Sequence, residues 1–185
     1  MIDNAIELTP EAAHLWQEIA PKMQHKIIEI KKTPVAILIW GPSPCIDTPV
    51  GRIRLELRSE LRKIGHLAVF SEELLDSSLN ISNRSQQLMQ AEEFQLIISI
   101  PASPGAIGEI HDFVIDTRVN SRIIVFLNQN YDSGYSNQSL SALENDISFK
   151  LYYYKSIDDL SYIIRKSIEI AEKIQEYIYL LGRRP

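Results

Sequence analysis

Five short apolar segments alternate with stretches of helical periodicity, and this alternation constrains the fold more than any other feature of the chain. The segments are 34–40, 66–70, 94–100, 121–127 and 149–154. The first is continuously apolar, a pattern typical of a strand that is buried on both faces of a parallel sheet. Because strands that alternate with helices need right-handed crossovers, we expect a three-layer α/β sandwich with a five-stranded parallel sheet.

The segments between these strands supply the helices of a flavodoxin-like or Rossmann-like fold. Residues 52–64 are ambiguous because a strand-like alternation overlaps a longer helical stripe, and the stripe, which ends at Gly65, favours a helix. We expect further helices at 85–92, after Gly105, at 140–143 and from a capping box at 156–159 to Gly182. Loops are predicted at 76–84 and 128–137, and the fifth strand is predicted at an edge of the sheet.

The first 33 residues form a predicted helical extension that precedes the sheet. Thr9 has the character of a helix cap, Pro10 suits the first helical position, and Glu11 favours the positive end of the helix dipole. Pro21 removes a backbone hydrogen bond, so we expect a kink or break there. The interpretation is an extension over 1–33 that packs on the sheet, followed by a single α/β domain over 34–185.

Charge and cysteine content exclude several classes of function. The chain has 185 residues, a formal charge of −5 and one cysteine, Cys45. An acidic protein lacks the basic surface that duplex nucleic acid requires, and one cysteine can form neither a disulfide framework nor a cysteine-based zinc site. No apolar run approaches the length of about 20 residues that a membrane helix needs. We therefore expect a soluble cytoplasmic protein with no duplex nucleic acid or membrane partner.

Residues 94–113 predict a strand, a loop punctuated by prolines, and a helix whose first or second turn carries Glu109. Ligands of open α/β folds bind beyond the carboxyl ends of the strands, where helix N-termini present free N–H groups. The carboxylate of Glu109 is thus directed at the predicted cleft. The candidate binding residues follow the first three strands: Gly41, Pro42, Ser43, Glu72, Glu73, Ser103, Gly105 and Ala106.

The stretch from Ser103 to Glu109, together with the residues that follow the first two strands, resembles the nucleoside 2-deoxyribosyltransferase-like family. That family shares a Rossmann-like core with TIR-type domains that cleave NAD, and the resemblance covers roughly 34–154. It implies that Gly105 and Glu109 match the family's glycine turn and catalytic glutamate. A carboxylate so placed can stabilise or capture the oxocarbenium-like sugar formed when an N-glycosidic bond breaks.

The sequence also departs from that family in two places. An aspartate usually precedes the glycine, whereas this chain has Pro101, Ala102 and Ser103, and the threonine that often follows the glycine is Ala106. These departures leave two hypotheses open. One is an N-glycosidase or N-ribosyltransferase acting on a nucleoside, a nucleotide or NAD. The alternative is a non-catalytic nucleotide-sensing or protein-interaction domain of the same fold, in which Glu109 is only a solvated helix-start carboxylate.

The sequence lacks the motifs of several other kinds of catalytic or binding site. The four histidines have no metal-ligand spacing, and neither a phosphate-binding P-loop nor the Gly-x-Ser-x-Gly motif of serine hydrolases is present. We predict no metal and no cofactor, with NAD considered only as a substrate. Arg52 and Arg54 are candidates for holding a phosphate, although a basic helix face is more commonly just solvated. By resemblance to the transferases, we also expect a homo-oligomer.

Overall fold

A computed structural model describes residues 9–131, 135–155 and 160–182 of the protein. Its centre is a five-stranded sheet in which every pair of neighbouring strands is parallel, in the order β2-β1-β3-β4-β5. This is the order of flavodoxin-like folds, and it confirms the predicted fold class and the edge position of the fifth strand. The strands are β1 (Ala36–Trp40), β2 (Leu67–Phe70), β3 (Leu96–Ser99), β4 (Ile123–Asn128) and β5 (Lys150–Tyr154).

Helices cover both faces of the sheet and complete the three layers. They are α1 (Pro10–Lys32), α2 (Pro49–Lys63), α3 (Asn83–Glu93), α4 (Pro104–Val114), α5 (Tyr135–Asp146) and α6 (Leu160–Leu181). One face of the sheet packs against α2 and α6, and the other packs against α3, α4 and α5. Alternate residues of each central strand therefore enter two separate apolar cores, which explains why these strands are apolar throughout.

Local chemistry determines where the helices begin and end. The side-chain oxygens of Thr48, Ser82 and Ser103 each accept a hydrogen bond from a backbone N–H in the first turn of α2, α3 and α4. Gly65 and Gly182 follow α2 and α6 with φ of 93° and 59°, a conformation that glycine adopts at little cost. The ambiguous segment 52–64 is helical, as predicted.

The N-terminal extension differs from its prediction in two respects. Helix α1 is continuous through Pro21, so the expected break is wrong. Pro21 has no N–H to donate to the carbonyl of Gln17, four residues earlier. Because both residues are exposed, water can bond that carbonyl instead. No residue of α1 is buried, and its main contact is with α6 rather than with the sheet. Two hydrogen bonds fix that contact, from Gln175 Nε2 to the carbonyls of Lys31 (3.2 Å) and Thr33 (2.6 Å).

Two other predictions fall near segments that the structure does not describe. Helix α5 begins at Tyr135, so the predicted loop over 128–137 is too long at its C-terminal end. The capping box at 156–159 lies outside the described residues. No helix in the described part of the chain is long and apolar enough to cross a membrane.

Candidate functional site

A cavity of about 380 Å³ lies at the carboxyl ends of β1, β2 and β3, where the sequence predicted a cleft. Its volume is within the range of small-molecule sites. Strand ends contribute part of the wall, and the turn after β2, α3 and α4 contribute the rest. The lining residues are Trp40, Gly41, Pro42, Ser71, Glu72, Gln87, Ser99, Pro101, Ala102, Ser103, Ala106, Glu109, Ile110 and Phe113.

Helix α4 places Glu109 at the mouth of this cavity. Ser103 Oγ accepts a hydrogen bond from the N–H of Ala106 (3.2 Å), which fixes the start of the helix, and Gly105 lies in its first turn. Ile110 is buried, whereas Glu109 is exposed at the cavity wall. Among the described residues, none forms an ion pair or hydrogen bond with the carboxylate of Glu109. Its carboxylate is therefore available to a ligand.

A second carboxylate, that of Glu72, is held in the same cavity by a buried arginine. Arg54 is fully buried, and its Nη1 and Nη2 donate to Oε1 and Oε2 of Glu72 at 2.7 and 2.8 Å. The same guanidinium donates to the carbonyls of Ile39, Gly41 and Pro42. Arg54 thus joins the end of β1 to the turn after β2. Its terminal nitrogens are engaged in these bonds and are not free to hold a phosphate, the role for which the sequence made Arg54 a candidate.

Gly41 is required by this arrangement. Its φ of 149° lies in the region that side-chain-bearing residues rarely adopt. A Cβ added there would lie 2.8 Å from the carbonyl oxygen of Ile100 and 3.0 Å from Cδ of Arg54. The glycine therefore lets the backbone pass close to the arginine and the β3 loop, and this close approach shapes one wall of the cavity.

Glu73 and Ser43 do not line this cavity, although the sequence placed both among its candidate binding residues. A short 3-10 turn at Ser71–Leu74 directs the two consecutive glutamates to different arginines. Glu73 accepts the N–H of Phe70 (3.0 Å) and pairs with Arg58 (2.6 Å). That backbone hydrogen bond, with Arg58 nearby, lowers the pKa of Glu73. Ser43 is exposed beyond the end of β1 and does not line the cavity.

The deep part of the cavity contains Trp40 and Ser99, which sequence reasoning treated only as strand residues. They are the last residues of β1 and β3, and they are register partners on adjacent strands. Trp40 also packs against Phe113 of α4, with 4.8 Å between ring centroids and a tilt of 39°. The sequence shows only that Trp40 and Ser99 each end a predicted strand. That they lie side by side at the cavity depends on the register of β1 and β3.

Little else in the described residues has the character of a site. No group of three or more His, Cys, Asp or Glu side chains among them is arranged to hold a metal ion. A wider concavity of about 550 Å³ lies on the outer surface between α2 and α6, with acidic residues such as Glu169 along it. Hydrogen bonds from Lys173 and Lys166 lower the pKa of Glu169 to about 2, so this carboxylate is already engaged in surface ion pairs.

Comparison of the sequence with models of known protein families and with curated proteins found no match. The chemistry of the cavity must therefore be inferred from its own residues. It combines one unpaired carboxylate, one carboxylate fixed by a buried guanidinium, a helix N-terminus and an aromatic end. Such a site can bind a polar, hydroxyl-bearing group near its mouth and a planar apolar group in its depth.

Proposed function

We propose that this protein cleaves the N-glycosidic bond of a nucleoside, a nucleotide or NAD, by hydrolysis or by transfer of the sugar, with Glu109 as the catalytic carboxylate. The observation that supports this most directly is the position of Glu109. It stands on the wall of the cavity at the sheet's carboxyl end, together with Gly41, Glu72 and Ser103.

Cleavage of an N-glycosidic bond requires a free anion beside the sugar. When the bond from the anomeric carbon to the base breaks, positive charge develops on the sugar, and a nearby carboxylate stabilises it electrostatically or bonds to it. Glu109 has no partner among the described residues, whereas the charge of Glu72 is neutralised by Arg54. Glu109 is therefore the better candidate for the reacting carboxylate.

Glu72 has a different proposed role, in binding the sugar. Both of its oxygens accept hydrogen bonds from Arg54, which fixes the carboxylate in one orientation. Each carboxylate oxygen has a second lone pair, so Glu72 can still accept hydrogen bonds from hydroxyl groups. Its side chain is 38% exposed and lines the cavity, so a ribose hydroxyl can reach it.

The resemblance to the nucleoside 2-deoxyribosyltransferase-like family supports the same proposal. Gly105 and Glu109 have the expected spacing on a helix that follows a central strand, and both belong to α4. The position where those enzymes usually have an aspartate is occupied by Pro101, Ala102 and Ser103. This difference favours a generic N-glycosidase over deoxyribosyl transfer. It also supports the alternative function, a non-catalytic nucleotide-sensing or protein-interaction domain.

The experiment that tests the function is a screen for base release. Purified protein is incubated with NAD and with a panel of ribonucleosides, deoxyribonucleosides and 5′-nucleotides, with and without an acceptor base, and products are separated by chromatography. We expect one class to release its base. A variant with Ala106→Trp, which fills the cavity, should lose that activity. Binding of these ligands without release by the wild type would favour the sensing domain. An absence of both binding and release would refute both the glycosidase and the nucleotide sensor and would leave the protein-interaction domain.

We also propose that the protein forms a homo-oligomer through α1. Leu15, Trp16, Ile19 and Met23 form an apolar stripe on this helix, and between 36% and 55% of each is exposed. The first half of α1 carries Glu11 and Glu18 without a lysine or arginine. The second half carries Lys22, Lys26, Glu29, Lys31 and Lys32. An antiparallel pair of α1 helices would thus place each acidic half beside a basic half while covering both stripes.

Sedimentation or light scattering tests this association. The wild type should dimerise at micromolar concentration, and Ile19→Glu should give a monomer. Gln17→Glu adds the same charge on the side of α1 opposite the stripe and should leave the dimer intact. A wild type that stays monomeric at several hundred micromolar would contradict the proposal.

The remaining partner is the small-molecule nucleoside or nucleotide. No cofactor or duplex nucleic acid is proposed, and the single free thiol of Cys45 fits a reducing cytoplasm.

A further inference from the structure

Two polar atoms beside the deep end of the cavity have no hydrogen-bond partner in the described part of the chain. They are Nε1 of Trp40 and Oγ of Ser99. Trp40 is 4% exposed and Ser99 is 1% exposed, and both residues line the cavity. Native proteins satisfy most buried polar groups, since a buried donor without an acceptor is unfavourable. These two lie on register partners of adjacent strands at one cavity, where a bound ligand can supply their hydrogen-bond partners.

The chemistry of the two groups limits what that ligand can be. An indole N–H is only a donor, so its partner must be an acceptor, whereas the Ser99 hydroxyl can donate or accept. The same end of the cavity is apolar and aromatic, because Phe113 packs against Trp40 and Ile110 lies on its wall. A flat heterocycle with acceptor atoms on its edge meets both requirements.

We propose that Trp40 and Ser99 form the base-binding end of the site and donate hydrogen bonds to acceptor atoms of the leaving base. This inference rests on the proposed function and extends it to the recognition of the base. The depths of the residues agree with it, since Trp40 and Ser99 are nearly inaccessible whereas Glu109 is exposed at the mouth. A nucleoside would then place its sugar beside Glu109 and its base inward.

This placement gives the two donors a role in bond cleavage. As the bond between the anomeric carbon and the base nitrogen breaks, both electrons remain with the base, and the sugar is taken by water or by an acceptor. A neutral nucleoside thus releases a base that carries negative charge until it gains a proton from solvent. Hydrogen bonds from Trp40 and Ser99 stabilise that charge without transferring a proton. A pyridinium riboside such as NAD releases a neutral base and depends less on these donors.

Binding measurements test the proposal separately from catalysis. In a Glu109→Gln background, in which the proposed function predicts slow turnover, calorimetry measures the Kd of an intact nucleoside. Ser99→Ala and Trp40→Phe should each weaken binding by about 3- to 10-fold, which is the loss of one net hydrogen bond. Ser167→Ala is a matched control, because Ser167 is also fully buried with an unpartnered hydroxyl but belongs to α6. Trp16→Phe is the matched control for Trp40→Phe, because Trp16 is an exposed tryptophan on α1.

Two further readouts distinguish recognition from a structural role. Ser99→Ala should leave the melting temperature of the free protein unchanged or higher, since it removes an unsatisfied polar group, while it weakens ligand binding. In the enzyme with Glu109 present, both substitutions should reduce kcat/KM more for a neutral nucleoside than for a pyridinium riboside. Equal losses on the two substrate classes would refute the stabilisation of the leaving base.

The outcomes separate the failure of this inference from that of the proposed function. If the Glu109→Gln protein binds nucleosides and the Ser99 and Trp40 variants bind as tightly as the controls, the base-binding assignment is wrong while the proposed function stands. If nucleosides bind with the predicted losses but the wild type releases no base, the assignment of the base-binding end is correct and the glycosidase activity is wrong. If neither a nucleoside, a nucleotide nor NAD binds, both are wrong.

Discussion

Replacing Arg54 with methionine should destabilise the protein strongly, because its guanidinium is fully buried and holds two segments together. The change removes two hydrogen bonds to Glu72 and the charged donors to the carbonyls of Ile39, Gly41 and Pro42. Removing one member of a buried ion pair costs about 3–5 kcal/mol. The carboxylate of Glu72 is 38% exposed, so water will solvate part of its charge, but the carbonyls add to the loss. We therefore expect a total of about 3–5 kcal/mol.

Arg58 provides a matched control for this substitution. Both arginines lie over the ring of Phe70, with guanidinium carbons 4.7 and 4.0 Å from its centroid, and both pair with a glutamate of the same 3-10 turn. Arg58 is partly exposed and makes a surface ion pair, which typically contributes about 0–1 kcal/mol. Arg58→Met should thus have a much smaller effect than Arg54→Met.

Thermal and urea unfolding provide the assay. For a chain of 185 residues, 1 kcal/mol shifts the melting temperature by about 2–4 °C, so Arg54→Met should lower it by about 6–20 °C. Glu72→Gln should cost about 1–2 kcal/mol, since one amide oxygen still accepts from Arg54. The double variant should lose less than the sum of the two single changes, because they share one interaction. Equal effects of Arg54→Met and Arg58→Met would refute the buried network.

Three other substitutions have definite expectations. Gly108→Ala should raise stability by about 0.5–1 kcal/mol, because Gly108 lies inside α4 with nothing within 4 Å of an added Cβ. Gly41→Ala should instead lower stability by about 1–3 kcal/mol, because of the positive φ and close contacts of Gly41. Equal melting temperatures of the two glycine variants would contradict both expectations. Burial lowers the pKa of His66 below its usual 6.5, so protonation favours the unfolded chain, and stability should fall as the pH drops below about 6.5. His66→Asn should make the melting temperature less dependent on pH between 5.5 and 7.

The part of the site that was predictable from sequence follows from the topology of a parallel sheet. Gly41, Pro42 and Glu72 come directly after strands whose carboxyl ends meet at one edge, so their proximity required only the strand assignments. Glu109 and Ser103 were predictable because a strand, a loop and a helix follow each other without ambiguity. All five lie on the cavity.

The rest depends on long-range contacts that no local pattern encodes. Glu72 and Glu73 are adjacent and chemically identical, and only the turn geometry and the two arginines of α2 decide which one enters the cavity. Trp40 and Ser99 look like ordinary strand residues until the register of β1 and β3 places them together. Similarly, the continuity of α1 through Pro21 depends on solvent exposure rather than on local preference.

The most direct measurement compares base release by the wild type with release by Glu109→Gln on the best substrate of the screen. Asp112→Asn is the matched control, because Asp112 is an exposed carboxylate on the same helix that pairs with Arg84 instead of lining the cavity. Both variants should melt like the wild type, because the carboxylate of Glu109 has no partner among the described residues and the Asp112–Arg84 ion pair is exposed and contributes little. We predict that Glu109→Gln lowers kcat/KM by about 100-fold or more while Asp112→Asn retains it. Full activity in Glu109→Gln would show that the reacting carboxylate is not Glu109.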